Sequence, residues 1–268
     1  MQLSEFIDNA TKRLQAAGIG TARLDVLVVL EDVLGVGRAN LLAHPEDIIP
    51  PPQITILNTF IVQREHHIPL AYIRGRAAFF GRNFAVNNHV LVPRPETEAM
   101  IETLKNLELP AGISIADIGT GSGCIGITVA LEIPGATVYL YDIDQPALDV
   151  ATANALALNA SVQIRKQDLL ADMTQDVDVI CANLPYVPDE YAINDAAKHE
   201  PKLALFAGTD GLDLYRTLWS QIKALSQHPR YVLTESLLEQ HEALAGLAKE
   251  AGYIPASTDG LVQLFERR

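Results

Sequence analysis

The apolar positions of the chain change period along its length. From Leu3 to about His66 they recur at helical spacing. "ARLDVLVVLEDVLG" sets Leu24, Leu27, Val28, Leu30 and Leu34 close to one every 3.6 residues, and Gly35 follows as a C-terminal stop. "PEDIIPPPQ" then breaks the chain before another apolar-spaced segment, "ITILNTFIVQREH". A small all-helical N-terminal domain is predicted, bounded at residues 1–75. Between Ala77 and Val92 short β-rich runs are interrupted by "GRN" and "NNH", the pattern of paired strands, and residues 76–95 are read as a β-hairpin linker.

From Ile113 onward apolar strands alternate with helical stretches. "ISIADIG", "CIGITVALEI", "ATVYLYDID", "PALDVATANALAL", "SVQIRKQD" and "VDVICANLPYV" follow one another, and later come "RYVLTES", the helix "LEQHEALAGLAKEAG" and a closing "LVQLFERR". Such alternation predicts βαβ units, a mainly parallel sheet and helices on both faces, hence an α/β domain over residues 96–268. Ligands of such sheets sit at the carboxyl ends of the strands.

With 268 residues, 49% of them apolar, the chain can fill a sizeable core. There is no basic-then-apolar leader and no apolar run of the roughly 20 residues that cross a bilayer, so a cytoplasmic protein without membrane attachment is expected. A net charge of −13 argues against a phosphate-tracking surface and disfavours nucleic acid as a partner. Cys124 and Cys181 each lie in an apolar segment outside any ligand pattern and read as core thiols. His66 and His67 have no carboxylate or cysteine at ligand spacing and read as exposed helix-end histidines, so no metal site is predicted.

The chemistry gathers at the strand ends. "DIGTGSGCIG" runs off the first strand of the α/β region, and glycines 119, 121 and 123 let backbone approach a ligand. Asp142 follows about 20 residues later, where an acid can take the two hydroxyls of a ribose. Asp144 is a weaker candidate for that role. These residues indicate an adenosine-type cofactor, nicotinamide or S-adenosylmethionine alike. Asp168, after the next strand, can accept from an adenine amino group or simply start a helix.

The fourth strand delivers "NLPY". A planar amine with a delocalised lone pair is a poor nucleophile. Two acceptors on its N–H groups would orient it and return electron density to nitrogen, and an aromatic face would hold its plane. Asn183 can supply a side-chain carbonyl, Leu184 a backbone carbonyl, Pro185 a stiff turn and Tyr186 the ring. Upstream, "PRPETE" suits a helix start at Pro95, with Glu96 and Glu98 at its positive end, but this leaves Arg94 between two prolines without a purpose.

Together these motifs resemble the class I S-adenosylmethionine-dependent methyltransferases and, among them, the release-factor glutamine methyltransferases of the PrmC/HemK family. The likeness covers nearly the whole chain through "IPLAYIRG", "FFGRNFAVNNHVLVPRPETE", "DIGTGSGCIGI", "YDIDQPALDVATANA", "NLPYVP" and "EPKLALFAGTDGLDLYR". It implies a Rossmann-like seven-stranded methyltransferase domain and an N-terminal domain that docks a peptide-chain release factor. The activity implied is methylation, by S-adenosyl-L-methionine, of the side-chain amide of the glutamine in its Gly-Gly-Gln motif.

By position the resemblance gives Gly119, Thr120, Gly121 and Gly123 to the cofactor cradle, Asp142 to the ribose and Asp168 to the adenine. Asn183 touches both cofactor and amide, the Leu184–Pro185 backbone takes the amide, and Tyr186 belongs to the pocket. Arg94, Pro95 and Thr97 come to the substrate rim. Leu184 stands where the family usually has the first of two prolines, which leaves the turn less rigid. A monomer is expected. The alternatives are a methyltransferase of an adenine exocyclic amine in RNA or DNA, a nicotinamide-dependent oxidoreductase, and a silent cofactor-binding module.

Overall fold

The first 75 residues form α1 (Leu3–Ala16), α2 (Ala22–Leu34), α3 (Arg38–Ala43), α4 (Pro51–Glu65) and α5 (Leu70–Arg74) in a computed structural model that describes residues 1–171 and 173–268. They pack around Leu14, Leu30, Leu57 and Ile61. Gly35 ends α2 in the left-handed conformation, as its position predicts. The inward face of α2 differs from the predicted stripe. Of the predicted residues Leu27 and Leu30 are buried, joined by Ala22, Asp25, Val26 and Val29, whereas Leu24 is exposed and Val28 and Leu34 are half-buried. Asp25 is tolerated inside because Arg64 of α4 donates from Nε at 2.7 Å, and a buried carboxylate without such a partner would cost several kcal/mol, on the order of the 3–5 seen when a buried pair is broken. Charged residues carry no apolar period, so the pair is invisible to the pattern. The break before α4 is shorter than predicted. Pro51 and Pro52 form its first turn, where an N–H has no intrahelical partner to lose. His66 lies exposed at the end of α4, and His67 beside it is half-buried.

After this helical unit come β1 (Arg76–Phe79) and β2 (Arg82–Ala85), paired antiparallel, then a 3-10 turn at Pro95–Thr97 leading into α6 (Glu98–Lys105). Alternation follows: β3 (Ser114–Ile118), α7 (Cys124–Glu132), β4 (Thr137–Asp142), α8 (Gln145–Ala157), β5 (Gln163–Lys166), β6 (Val179–Ala182), α9 (Asp213–Ala224), β7 (Tyr231–Glu235), α10 (His241–Glu250), β8 (Tyr253–Asp259) and β9 (Val262–Arg267). By packing, the described residues form two units, 1–75 with 194–199 and 76–193 with 200–268. The segment Asn194–His199 therefore groups with the helices, although the sequence places it within 96–268.

Among the described residues seven strands form one sheet in the order β5-β4-β3-β6-β7-β9-β8. The pairings from β5 through β7 are parallel, and β9 and β8 are added antiparallel. The two-residue period sorts the strands into two cores. Ile115, Leu140, Val179, Cys181 and Leu233 face α6, α7 and α8, while Ala116, Ile118, Tyr141, Ile180 and Val232 face α9 and α10. This is the fold of a class I methyltransferase domain preceded by a helical region.

Two elements lie outside those predicted, α9 and β8. β8 buries Tyr253 but exposes Pro255 through Asp259, and its register shifts between Pro255 and Ser257. Proline has no donor for a ladder and is confined to edges and bulges, which is where β8 lies. Strand succession reverses between β3 and β6, and their carboxyl ends open there into a crevice.

Candidate functional site

At that crevice lies a cavity of about 370 Å³, a size suited to a small-molecule ligand. Its wall includes Gly119, Thr120 and Gly121 after β3, Asp142 at the end of β4, Asp168 after β5, and Asn183, Leu184 and Pro185 after β6. Arg94 and Thr97 close another side. Four separate strand ends thus supply one site.

The loop after β3 is fastened to the end of β4. Gly119 N and Thr120 N both donate to Tyr141 O at 2.9 Å, and Gly121 N donates to Asp142 Oδ2 at 2.9 Å. Asp142 Oδ1 accepts from Asp144 N at 2.9 Å. Each carboxylate oxygen has capacity for a second donor, so Asp142 can still take a ligand hydroxyl. Burial pushes its carboxyl up from the ordinary value, and the backbone donors of Asp144 and Gly121 oppose that shift. Asp144 instead caps α8, accepting from Ala147 N at 3.3 Å. A Cβ at Gly121 would stand in open space, with no atom within 4 Å. Gly123 is not on the wall, contrary to expectation. It precedes α7 in the left-handed conformation, φ +80°, which favours glycine, and a Cβ there would also come 2.7 Å from Ile127 Cδ1 and 3.2 Å from Ala151 Cβ.

On the other side, Asn183 Nδ2 donates to Thr97 Oγ1 at 3.1 Å. Its carbonyl remains available to a ligand. Leu184 N donates to the hydroxyl of Tyr215 in α9 at 3.3 Å, and that hydroxyl lies 2.6 Å from Glu235 O and 3.0 Å from Ala182 O. The ends of β6 and β7 are thereby tied together. Tyr186 and Pro95 are not among the residues that line the cavity. Tyr186 is half-buried, with its hydroxyl donating to Glu235 Oε1 at 2.9 Å and its carbonyl accepting from Gln240 Nε2 at 2.8 Å. Pro95 is exposed as the first residue of its turn. Arg94 now has a purpose. Its Nη2 lies 2.6 Å from Oε1 of the buried Glu200, whose Oε2 accepts from Val92 N at 3.2 Å, clasping two segments of the wall. Cys124 touches the cavity, but burial pushes its thiol up to about 12, and Cys181 is wholly buried. Both are thiols of the core, as predicted.

Residues 5–75 match the PrmC N-terminal domain, and residues 95–200 match the methyltransferase small domain. The chain is 40% identical over 234 residues to the release factor glutamine methyltransferase of Bacillus anthracis, an alignment covering 84% of this chain and 83% of that one. With the release factor glutamine methyltransferase of Cereibacter sphaeroides it shares 35% identity over 277 aligned positions, covering 100% and 99%. The chain belongs to the release factor glutamine methyltransferase family. Among solved structures, the catalytic domain of hMettl16 in complex with the MAT2A 3′UTR hairpin 1 aligns with a TM-score of 0.54 at 15% identity, over 80% of this chain and 79% of that one. That likeness is one of fold.

Several supporting residues escape the motif reading. Asn154 of α8 accepts from Ala85 N at 2.7 Å and donates to Ala85 O at 3.0 Å and Ser122 O at 2.8 Å, binding hairpin, glycine loop and helix together. Glu235 is buried at the end of β7. Asp117, at the end of β3, accepts through Oδ2 from Thr120 Oγ1 at 2.6 Å and from Gly126 N at 2.8 Å, while its buried Oδ1 has no hydrogen-bond partner among the described residues. Burial pushes the Asp117 carboxyl up from 3.8 to about 6, against the two donors and with the help of Asp142.

A carboxyl raised in the folded state binds its proton more tightly there than in the unfolded chain. Its stabilising contribution is therefore fullest below 3.8 and is lost as the pH rises through about 6. Asp117→Asn is expected to remove that slope from stability measured by urea unfolding across this window. An unchanged slope would assign it to other groups.

Proposed function

We propose that the chain transfers a methyl group from S-adenosyl-L-methionine to the side-chain amide nitrogen of the glutamine in the Gly-Gly-Gln motif of a peptide-chain release factor. The observation that carries this reading is Asn183, whose nitrogen is engaged by Thr97 and whose carbonyl is free on a wall shared with the glycine loop. The residues present fit the cofactor. Asp142 has acceptor capacity for two ribose hydroxyls, the space beside Gly121 is open, and Asp168 stands on the same wall for the adenine amino group. When bound, S-adenosylmethionine supplies a methyl group on a positively charged sulfur, an electrophile strong enough for an amide nitrogen.

Asn183 Oδ1 accepts one N–H of the glutamine amide and the Leu184 carbonyl accepts the other. These contacts fix the plane of the amide and favour the positive charge that develops on its nitrogen. Pro185 stiffens the turn. Tyr186 supports it from behind, held by Glu235 and Gln240. The nitrogen would gain one N–C bond as the bond from sulfur to the methyl group breaks and its electron pair returns to sulfur, and would then give up one of its two protons to water, with no covalent link to the enzyme. The Arg94–Glu200 clasp keeps Pro93 and Pro201 together at the rim, where the residues flanking the glutamine enter.

The test is transfer of labelled methyl to a purified release factor, with a version whose Gly-Gly-Gln glutamine is alanine alongside. Label on the glutamine form alone is expected. Equal label on both forms, or on neither while the cofactor binds, would overturn the substrate assignment.

A further inference from the structure

Gln240 is buried immediately before α10, and both ends of its side chain are engaged. Its Oε1 accepts from Leu237 N at 2.9 Å, while Nε2 donates to Tyr186 O at 2.8 Å and to Asp210 O at 2.7 Å. The bond from Leu237 caps the single turn Leu238–Gln240, and a glutamate would cap it equally well. The two bonds from nitrogen are another matter. Only an NH₂ group gives one proton to each of two carbonyls, and an ionised carboxylate would set acceptor against acceptor. Glutamine rather than glutamate is therefore required by Tyr186 and Asp210, not by the cap.

We infer that Gln240 is a positioning residue for methyl transfer, aiming the Leu184 carbonyl at the substrate amide by holding the carbonyl of Tyr186. The inference rests on the proposed reading of the Leu184 carbonyl as an acceptor of the glutamine amide. That carbonyl lies between two fastenings. Before it, Leu184 N donates to the Tyr215 hydroxyl at 3.3 Å; after it, Gln240 Nε2 holds Tyr186 O at 2.8 Å. Between the two carbonyls stands Pro185, whose ring locks one of the intervening torsions, so fixing the second carbonyl restrains the first. Gln240 itself is not on the cavity wall, and its effect passes through the turn.

The surroundings leave that carbonyl little room to move. The segment that Gln240 ties to the turn is also laddered onto the residues that follow it. Val187 N donates to Leu205 O at 2.9 Å, Ala207 N to Val187 O at 3.1 Å and Asp189 N to Gly208 O at 3.0 Å. Gly211, with φ +76°, passes so near that an added Cβ would collide with Tyr186 O and come 2.6 Å from Gln240 Nε2. The carboxamide of Gln240 thus joins the exit of the turn after β6, the segment before α9 and the connection from β7 to α10 at one point.

Gln240→Met keeps the length and removes all three bonds, whereas Gln240→Glu keeps the bond from Leu237 and removes the pair of donors. With release factor and cofactor both saturating, kcat is expected to fall by about 10- to 100-fold in each, the scale of a slightly misplaced reactant. The KM for release factor and the affinity for S-adenosylmethionine by calorimetric titration should stay within about 2-fold, a split that a general loosening of the fold would not produce. Urea unfolding identifies which variants are folded, and Gln240→Glu carries the test if Gln240→Met is not. Wild-type kcat in either folded variant would overturn the inference, and restoration by glutamate alone would reduce Gln240 to a cap. Losses confined to KM, a parallel loss of cofactor affinity, or failure of both variants to fold would overturn it too, making Gln240 a support of the fold. Failure of the unsubstituted enzyme to label the release factor would instead remove the substrate reading, and the positioning role with it.

Discussion

Asn183→Ala is expected to lower kcat by about 100- to 1000-fold, the usual cost of deleting one preorganised group aimed at developing charge. Cofactor affinity should change far less. In the proposed arrangement the ribose hydroxyls go to Asp142 at the end of β4, a different strand end from the one that carries Asn183. The side chain is half-buried and makes one close hydrogen bond to protein, to Thr97, so its removal leaves the strands intact. Single-turnover rates at saturating cofactor, set beside a calorimetric titration, separate the two effects. Comparable losses in both would show that Asn183 is a cofactor ligand first, and a retained rate would remove it from the chemistry.

Asp142→Ala should have the opposite profile. Two hydrogen bonds from ribose hydroxyls to a charged acceptor are worth about 1.5–3 kcal/mol each, so a loss of at least about 100-fold in affinity for S-adenosylmethionine is expected. The substitution also frees Gly121 N and Asp144 N, loosening the loop that lies against the cofactor. Calorimetric titration reads the change directly, and kcat at saturating cofactor should recover most of its value. An affinity equal to that of the unsubstituted protein would rule out the ribose assignment.

Sequence pattern revealed most of this architecture because its signals are local. The two-residue alternation of "ISIADIG" and "ATVYLYDID", glycine at 35, and the strand-end positions of Asp142 and Asn183 each reflect a constraint that acts within a few residues. The seven-strand count came from family resemblance rather than period, since β8 carries a proline and mostly exposed polar residues at an edge. α9 has a readable spacing in Tyr215, Leu218, Trp219 and Ile222, but only its first four residues fall within a quoted motif, "EPKLALFAGTDGLDLYR". What stayed hidden depends on pairing at long range. Asp25 is held inside by Arg64, 39 residues away, and Glu235 at the end of β7 takes the hydroxyl of Tyr186, 49 residues away. The same limit applies to Gly123, Pro95 and Tyr186, which belong to the motifs but do not line the cavity. Motif membership puts a residue near a site, whereas backbone direction decides whether it forms the wall.

The hydroxyl of Tyr215 gives the leucine at 184 its meaning. A proline there would hold the turn by ring closure, but it would have no N–H to offer, and the 3.3 Å bond to Tyr215 would be lost. This chain holds the turn by cross-linking instead. Leu184 is fastened through its amide to a phenol that also joins two strand ends, and its buried side chain occupies the space that Gly119 leaves, where an added Cβ would come 2.9 Å from Leu184 Cδ2. Rigidity supplied by a ring belongs to one residue, but rigidity supplied this way is shared among three. Positions 119, 184 and 215 are thereby coupled through contact, and a change at any of them alters the terms on which the other two are acceptable.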